Sequence, residues 1–175
     1  MKEKKLTRKH WVFCLALPVV FALDQATKAV VERTVPLYES IVVVPGLFSI
    51  THLKNTGAAF GLFAGQASIF RTLFFAVITI GALILILLIF TNAKGHRILT
   101  PLSLGMIMAG ALGNLVDRVR WGYVIDFLDV YWKNHHWPAF NIADSAITVG
   151  ILLVLVEHLL FHRKTGVSQK SIRRV

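Results

Sequence analysis

Residues 111–145 read ALGNLVDRVRWGYVIDFLDVYWKNHHWPAFNIADS. An apolar segment arrives carrying Asn114, Asp117 and Arg118. A polar, aromatic-rich loop follows and holds Asp126 and Asp129. The next apolar segment opens with Asn141 and Asp144. Carboxylates at the borders of membrane-length helices are costly to desolvate, so each needs a partner or a task.

The whole chain explains why these segments read as membrane spans. Its 175 residues are 55% hydrophobic, with a mean hydropathy of +0.65. A soluble domain of this length does not need so many apolar residues. The net charge of +10 raises the possibility of nucleic acid. The basic residues, however, sit in three blocks beside apolar runs and lack the pattern of a nucleic-acid surface, which excludes that partner. Cys14 is the single cysteine, so an intramolecular disulfide and a cysteine-based zinc site are both excluded. In its apolar run it is expected to be a buried, inert thiol.

Four spans are expected, at about 11–31, 69–90, 98–117 and 140–161, each close to the ~20 residues a helix needs to cross. A cleaved secretory signal is the rival reading of the first. The apolar stretch continues past Asp24 and Lys28 without a small-x-small cleavage site, so a span is preferred. The third span is rich in Gly and Ala and is expected to be a closely packed central helix. Between spans one and two, residues 32–68 change character. SIVVV (40–44) and FSITHL (48–53) read as two short strands around Pro45-Gly46, and NTGAAFG (55–61) as a tight turn. Such irregular backbone lies outside the hydrocarbon or against protein. The basic tail, 162–175, is expected to be disordered. The chain is read as a single membrane domain, 1–175.

Charge sets the topology. Lys2, Lys4, Lys5, Arg8 and Lys9 precede span one, Lys94 and Arg97 separate spans two and three, and Arg163, Lys164, Lys170, Arg173 and Arg174 follow span four. Twelve of the nineteen Lys and Arg residues thus fall on one side, and the positive-inside rule places both termini in the cytoplasm. Residues 32–68 and 118–139 then face outward. Asp24, Asn114, Asp117, Arg118, Asn141 and Asp144 share one depth, near the outer surface. Asn141, Asp144 and Thr148 line one stripe, Asp144 about 5 Å deeper than Asn141.

Each feature has a plainer explanation. Asp24 and Lys28 read as an i,i+4 helix-end pair whose lysine snorkels. Asp117 beside Arg118 reads as a structural ion pair. Asn141 is a favoured N-cap. Asp129 and the His135–His136 pair read as solvated, and Trp121, Tyr123, Tyr131, Trp132 and Trp137 as an interfacial aromatic belt. Glu157, His158 and His162 lie away from the cluster and read as a helix terminus. No HExxH or GxSxG occurs, which argues against a zinc protease and a serine hydrolase. What survives is a cluster of Asp and Asn. Two carboxylates held close share one proton, so one can activate water while the other polarises a carbonyl. Spacing alone leaves open which of Asp117, Asp126, Asp129 and Asp144 pair.

Five segments narrow that choice. DQATK (24–28), NTGAAFG (55–61), GNLVDR (113–118), GYVIDF (122–127) and FNIADS (140–145) occur in the order found in the bacterial lipoprotein signal peptidases, also called signal peptidase II. The chain resembles that family up to its basic tail. The resemblance implies Asp126 and Asp144 as the catalytic pair, with Asp24, Asn55, Asn114, Arg118 and Asn141 in support. It implies an α-helical membrane protein of four transmembrane helices, with a small extracytoplasmic β-sheet cradle and a short interfacial helix. The implied activity is that of an aspartic endopeptidase in the bacterial inner membrane. It removes signal peptides from diacylglyceryl-modified prolipoproteins, cutting just before the lipidated cysteine, with no cofactor and no metal. The expected partners are that substrate and membrane lipid, with globomycin as inhibitor; a monomer is assumed. Two other classes compete. A proton-coupled transporter predicts polar residues through the full depth of the spans, which are almost wholly apolar on the cytoplasmic side. A non-catalytic subunit predicts that isosteric Asp variants keep function.

Overall fold

The structure, a computed structural model, describes residues 7–57, 68–93 and 98–172. Among these, four helices are long and apolar enough to cross a membrane: α1 (Arg8–Thr34), α2 (Ser68–Asn92), α3 (Leu99–Trp121) and α4 (Ile142–Ile172). Strands β1 (Ser40–Val44), β2 (Phe48–Asn55), β3 (Val124–Trp132) and β4 (His135–His136) form an antiparallel sheet in the order β1-β2-β3-β4.

The third helix is the hub, as its small residues lead one to expect. Leu104, Met108, Ala109, Asn114 and Asp117 are all buried on α3. A Cβ at Gly110 would lie 2.3 Å from the Ala143 carbonyl oxygen of α4, and one at Gly113 would lie 2.4 Å from the Asp24 carboxylate of α1. Only hydrogen fits at either point, so α1 and α4 approach α3 closely enough for polar side chains to meet between them. By contrast α2 is apolar on every side beyond Arg71 and Thr72, with Leu73, Val77, Ile84 and Leu88 exposed, as on a lipid-facing span.

Each end of the bundle is tied differently. Lys9 Nζ donates to the carbonyls of Phe90, Thr91 and Ala93 at 2.9–3.3 Å, so a cation caps the C-terminal end of α2. Phe13, Ile86, Phe90, Leu104 and Met108 form the core nearby. At the other end Val31 and Val35 pack on Ile125 and Phe127, which seats the sheet on α1. Gly122, at φ 76°, ends α3 in the left-handed conformation and turns the chain into β3. Leu128 and Phe140 then pair across an isolated bridge, with N–H···O distances of 2.8 and 3.1 Å. That bridge brings the start of α4 alongside β3.

Several expectations need correction. The stretch read as an aromatic-rich loop contains β3; residues 124–127 are buried, so no alternation of polar and apolar residues marks the strand. Cys14 is exposed on α1 rather than buried. Glu157 is not at a helix end: it is buried within α4 and accepts a 2.5 Å hydrogen bond from the Thr100 hydroxyl. The helix continues to Ile172, where a disordered tail was expected; no proline interrupts 162–172. No short interfacial helix occurs among the described residues, and residues 58–61 of the NTGAAFG turn and 94–97 of the basic loop lie outside them.

Substituting Gly110 by Ala should force α3 and α4 apart. Overpacking of this kind costs about 1–3 kcal/mol. Thermal unfolding in detergent should show a lowered Tm for Gly110→Ala, whereas Gly81→Ala, with open space around its α-carbon, should not fall.

Candidate active site

The polar cluster is built around a buried lysine. Lys28 is 1% exposed, and its ammonium lies 2.9 Å from Asp24 Oδ2 and 2.7 Å from Asp117 Oδ2. It also donates to Asn114 Oδ1 at 3.1 Å. Gln25 Nε2 bridges the same two carboxylates, at 3.1 and 3.0 Å. The ammonium does not snorkel, because two carboxylates from α1 and α3 hold it inside. Nor is Asp117 paired as expected. Successive helical side chains point about 100° apart, so Asp117 faces Lys28 while Arg118 lies over the Phe75 ring at 4.3 Å.

From this cluster the order passes to the start of α4. Asp24 Oδ1 accepts the Ala143 backbone N–H at 2.9 Å, satisfying one of the donors that a helix N-terminus leaves unpaired. Asn141 and Asp144 form a reciprocal cap. Asn141 Oδ1 accepts the Asp144 N–H at 3.0 Å, and Asp144 Oδ2 accepts the Asn141 N–H at 3.2 Å. Asn114 holds the other Asp144 oxygen, its Nδ2 donating at 2.8 Å. Lys28 fixes which way that amide points. With the Asn114 oxygen taken by the ammonium and by Asn141, its NH2 can only face Asp144.

Asp126 enters from the sheet. It sits opposite Leu53 in the β2–β3 ladder, beside an irregularity between Ile50 and Leu53 that adds a residue on β2. Asn141 Nδ2 donates to its Oδ1 at 2.8 Å and Asn55 Nδ2 to its Oδ2 at 2.9 Å. Thus one residue, Asn141, binds both Asp126 and Asp144. Asp126 is 4% exposed, and its pKa is pushed up to about 7. Burial is the main cause; the Asp144 charge adds to it, while the Asn55 and Asn141 hydrogen bonds and the Lys28 charge pull the other way.

All seven residues named from the sequence as site candidates therefore meet at the sheet end of the bundle. Asn55 holds Asp126 through its amide nitrogen, and its oxygen accepts the Gly57 N–H at 3.1 Å. Arg118 donates to the Asn114 carbonyl and interacts with the charges of Asp144, Asp126 and Asp117. Asp129 is not simply solvated: it pairs with His136 Nδ1 at 2.9 Å, on the exposed part of β3. The site residues named from the sequence did not include Lys28 and Gln25, and Asp117 was placed beside Arg118 rather than against Lys28. Lys28 and Gln25 both lie in DQATK with Asp24; for Lys28 the signal was its i,i+4 spacing from Asp24 on one helix face, whereas Gln25, adjacent to Asp24, carried no such signal. Beside Asp144 lies a groove of about 390 Å³ lined by Trp137, Phe140, Ser145, Thr148 and Val149. Among the described residues no group of three His, Cys, Asp or Glu side chains is arranged to hold a metal ion.

Replacing Lys28 with Met should leave two carboxylates buried without their cation. Removing one partner of a buried pair costs about 3–5 kcal/mol. Lys28→Met should lose most folded protein in a detergent unfolding assay, while Lys133→Met on the sheet surface should stay within about 0.5 kcal/mol of the parent.

Comparison with known proteins identifies the family. A family model described as Signal peptidase (SPase) II matches residues 16–160. The lipoprotein signal peptidase of Geobacter metallireducens is 49% identical over 153 residues, 87% of this chain and 93% of that protein. That of Desulforapulum autotrophicum is 50% identical over 158 residues, 90% of this chain and 96% of that protein. A solved structure described as a bacterial membrane enzyme, obtained by the in meso method at 2.3 Å resolution, superposes with a TM-score of 0.76. It is 34% identical and covers 85% of this chain and 88% of that one. By fold, motif order and sequence, this four-helix membrane protein belongs to the signal peptidase II family.

Proposed function

We propose that the chain is an aspartic endopeptidase that removes the signal peptide from prolipoproteins, with Asp126 and Asp144 as its catalytic pair. The observation that supports this most directly is the Asn141 bridge between the two carboxylates. Held together in a largely buried site, they keep one proton between them. The ionised carboxylate takes a proton from water, whose oxygen attacks the scissile carbonyl carbon. The protonated one gives its proton to the carbonyl oxygen. On collapse of the tetrahedral diol the C–N bond breaks, the nitrogen leaves with the proton first taken from water, and the pair regains its own from the diol hydroxyl. Asn114, Asn141 and Asn55 aim the acids, and Arg118 and Lys28 balance their charge. Asp24 sets the position of α4.

The substrate is a diacylglyceryl-modified precursor cut just before its lipidated cysteine. Its peptide would reach Asp144 through the groove between Trp137 and Val149, with its acyl chains still in the bilayer. The single membrane domain lies in the bacterial inner membrane, with both termini cytoplasmic and the sheet outside. Trp132 and Trp137, both strongly exposed, suit the outer interface. The chain works as a monomer and is inhibited by globomycin. A non-catalytic subunit is disfavoured by the likeness to lipoprotein signal peptidases, 49% and 50% identical over most of the chain.

Purified protein and a diacylglyceryl-prolipoprotein test this. Asp126→Asn and Asp144→Asn should each lower kcat by at least ~10²–10⁴-fold with the Tm retained, in line with loss of a general acid or base. Cleavage by an Asp144→Asn enzyme at the parent rate would overturn the assignment. Above about pH 7 the pair loses its last proton, so kcat/KM should fall as pH rises through that value. Stability should move the same way. Asp126 keeps its proton to about pH 7 in the folded chain but releases it near 3.8 when free, so the folded state binds more protons between those values. Its contribution to stability is full below about pH 4 and is lost as pH rises through 7; Asp126→Asn should remove that slope from denaturation curves.

A further inference from the structure

A second groove, of about 380 Å³, shares no lining residue with the groove beside Asp144. Ala26, Val30 and Thr34 of α1 form one wall, Ile41 of β1 the other, and Ile50 and Phe127 lie at its base. On β3, Asp126 and Phe127 are adjacent and so point to opposite faces of the sheet. The groove therefore backs the strand that carries Asp126 without opening on the carboxylates.

We infer that this groove seats an acyl chain of a bilayer phospholipid, distinct from the substrate's own. Three observations converge on that occupant. Ala26, Val30 and Thr34 are spaced i, i+4, i+8 and form a stripe about 12 Å long running along α1. A bilayer acyl chain runs in that direction beside a spanning helix. Second, the wall is apolar throughout. Thr27 and Thr34 turn their hydroxyls back to the carbonyls of Leu23, Asp24 and Val30, leaving no donor for a polar ligand. Third, β1 is exposed on both faces and apolar on both: Ile41, Val42, Val43 and Val44 are each 43–58% exposed. A strand of that kind is unfavourable in water and suits a hairpin that dips into the lipid interface, where water still reaches its free edge. The groove then runs from the interface, at Ile41, along α1 toward the acyl chains. A seated chain would pack on Phe127 and Ile50 and so support the β2–β3 ladder behind Asp126.

The test uses the full chain in phosphatidylcholine vesicles that carry a photoactivatable diazirine on one acyl chain, without substrate. Labelling should concentrate several-fold on Val30 and Ile41 over Leu15 and Val19, which are exposed on α1 outside this groove. Val30→Trp, filling the groove, should remove the excess at Ile41 and leave Leu15 unchanged. Ala26→Phe serves where the first variant does not fold. Uniform labelling of all four positions would overturn the inference. So would loss of the excess on adding a diacylglyceryl-prolipoprotein, which would make the groove a substrate subsite. Neither readout depends on cleavage, so failure here is separable from failure of the proposed chemistry.

Discussion

The ammonium of Lys28 is the charge on which the membrane-side structure depends. It is desolvated almost completely, a state that an unpaired lysine could not hold. Asp24 and Asp117 compensate it, and it compensates them. Because the two carboxylates come from α1 and α3, the ion cluster is also the joint between those helices. Asp24 then extends the joint to α4 through the Ala143 N–H. In hydrocarbon there is no water to take over any of these bonds, so the three helices are committed to one mutual arrangement.

That arrangement makes the site rigid before any substrate arrives. Asn114 is oriented by Lys28, Asp144 by Asn114 and by its own helix cap, and Asp126 by Asn141 and Asn55. The side chains that would act sit on a helix start and a strand, and the residues that orient them are themselves bonded. Preorganisation of this kind is what a low-dielectric site can use, since its dipoles need not turn during reaction. The ionic cluster serves position, while the proposed pair above it carries the chemistry. Asp126 is the member that comes from outside the bundle. Its place relies on the Leu128–Phe140 bridge, which ties the sheet to the start of α4.

Much of this was legible in the residues. Apolar runs of membrane length marked all four spans, since burial in lipid demands length and composition more than any particular partner. Pro45-Gly46 between β-branched runs marked β1 and β2 within two residues. From its own residues β3 was not legible, because its buried half carries Asp126 among Val124, Ile125 and Phe127 and shows neither alternation nor a clean apolar run; only the family resemblance implied a sheet there. The fate of Lys28 was misjudged for a related reason. Seen on α1 alone, a lysine four residues from an aspartate near a helix end has an easy route to water. Only the neighbouring Asp117 closes that route. Cys14 and Glu157 were misplaced because lipid reverses the usual meaning of exposure: a small apolar group can face outward, and an acid can turn inward toward Thr100.

The sequence by itself determined the architecture of spans, the charged side, and the short set of polar residues that had no reason to lie at a membrane border. Those properties follow from transfer of residues between water and lipid, which each segment experiences independently. Only the tertiary structure decided which of those polar residues touch. Contact between Asp126 and Asn141, or between Lys28 and Asp117, depends on helix rotation and on the return of the chain from β3 into α4. Rotation is set by close packing at positions such as Gly110 and Gly113, a property of pairs of helices that no single segment contains.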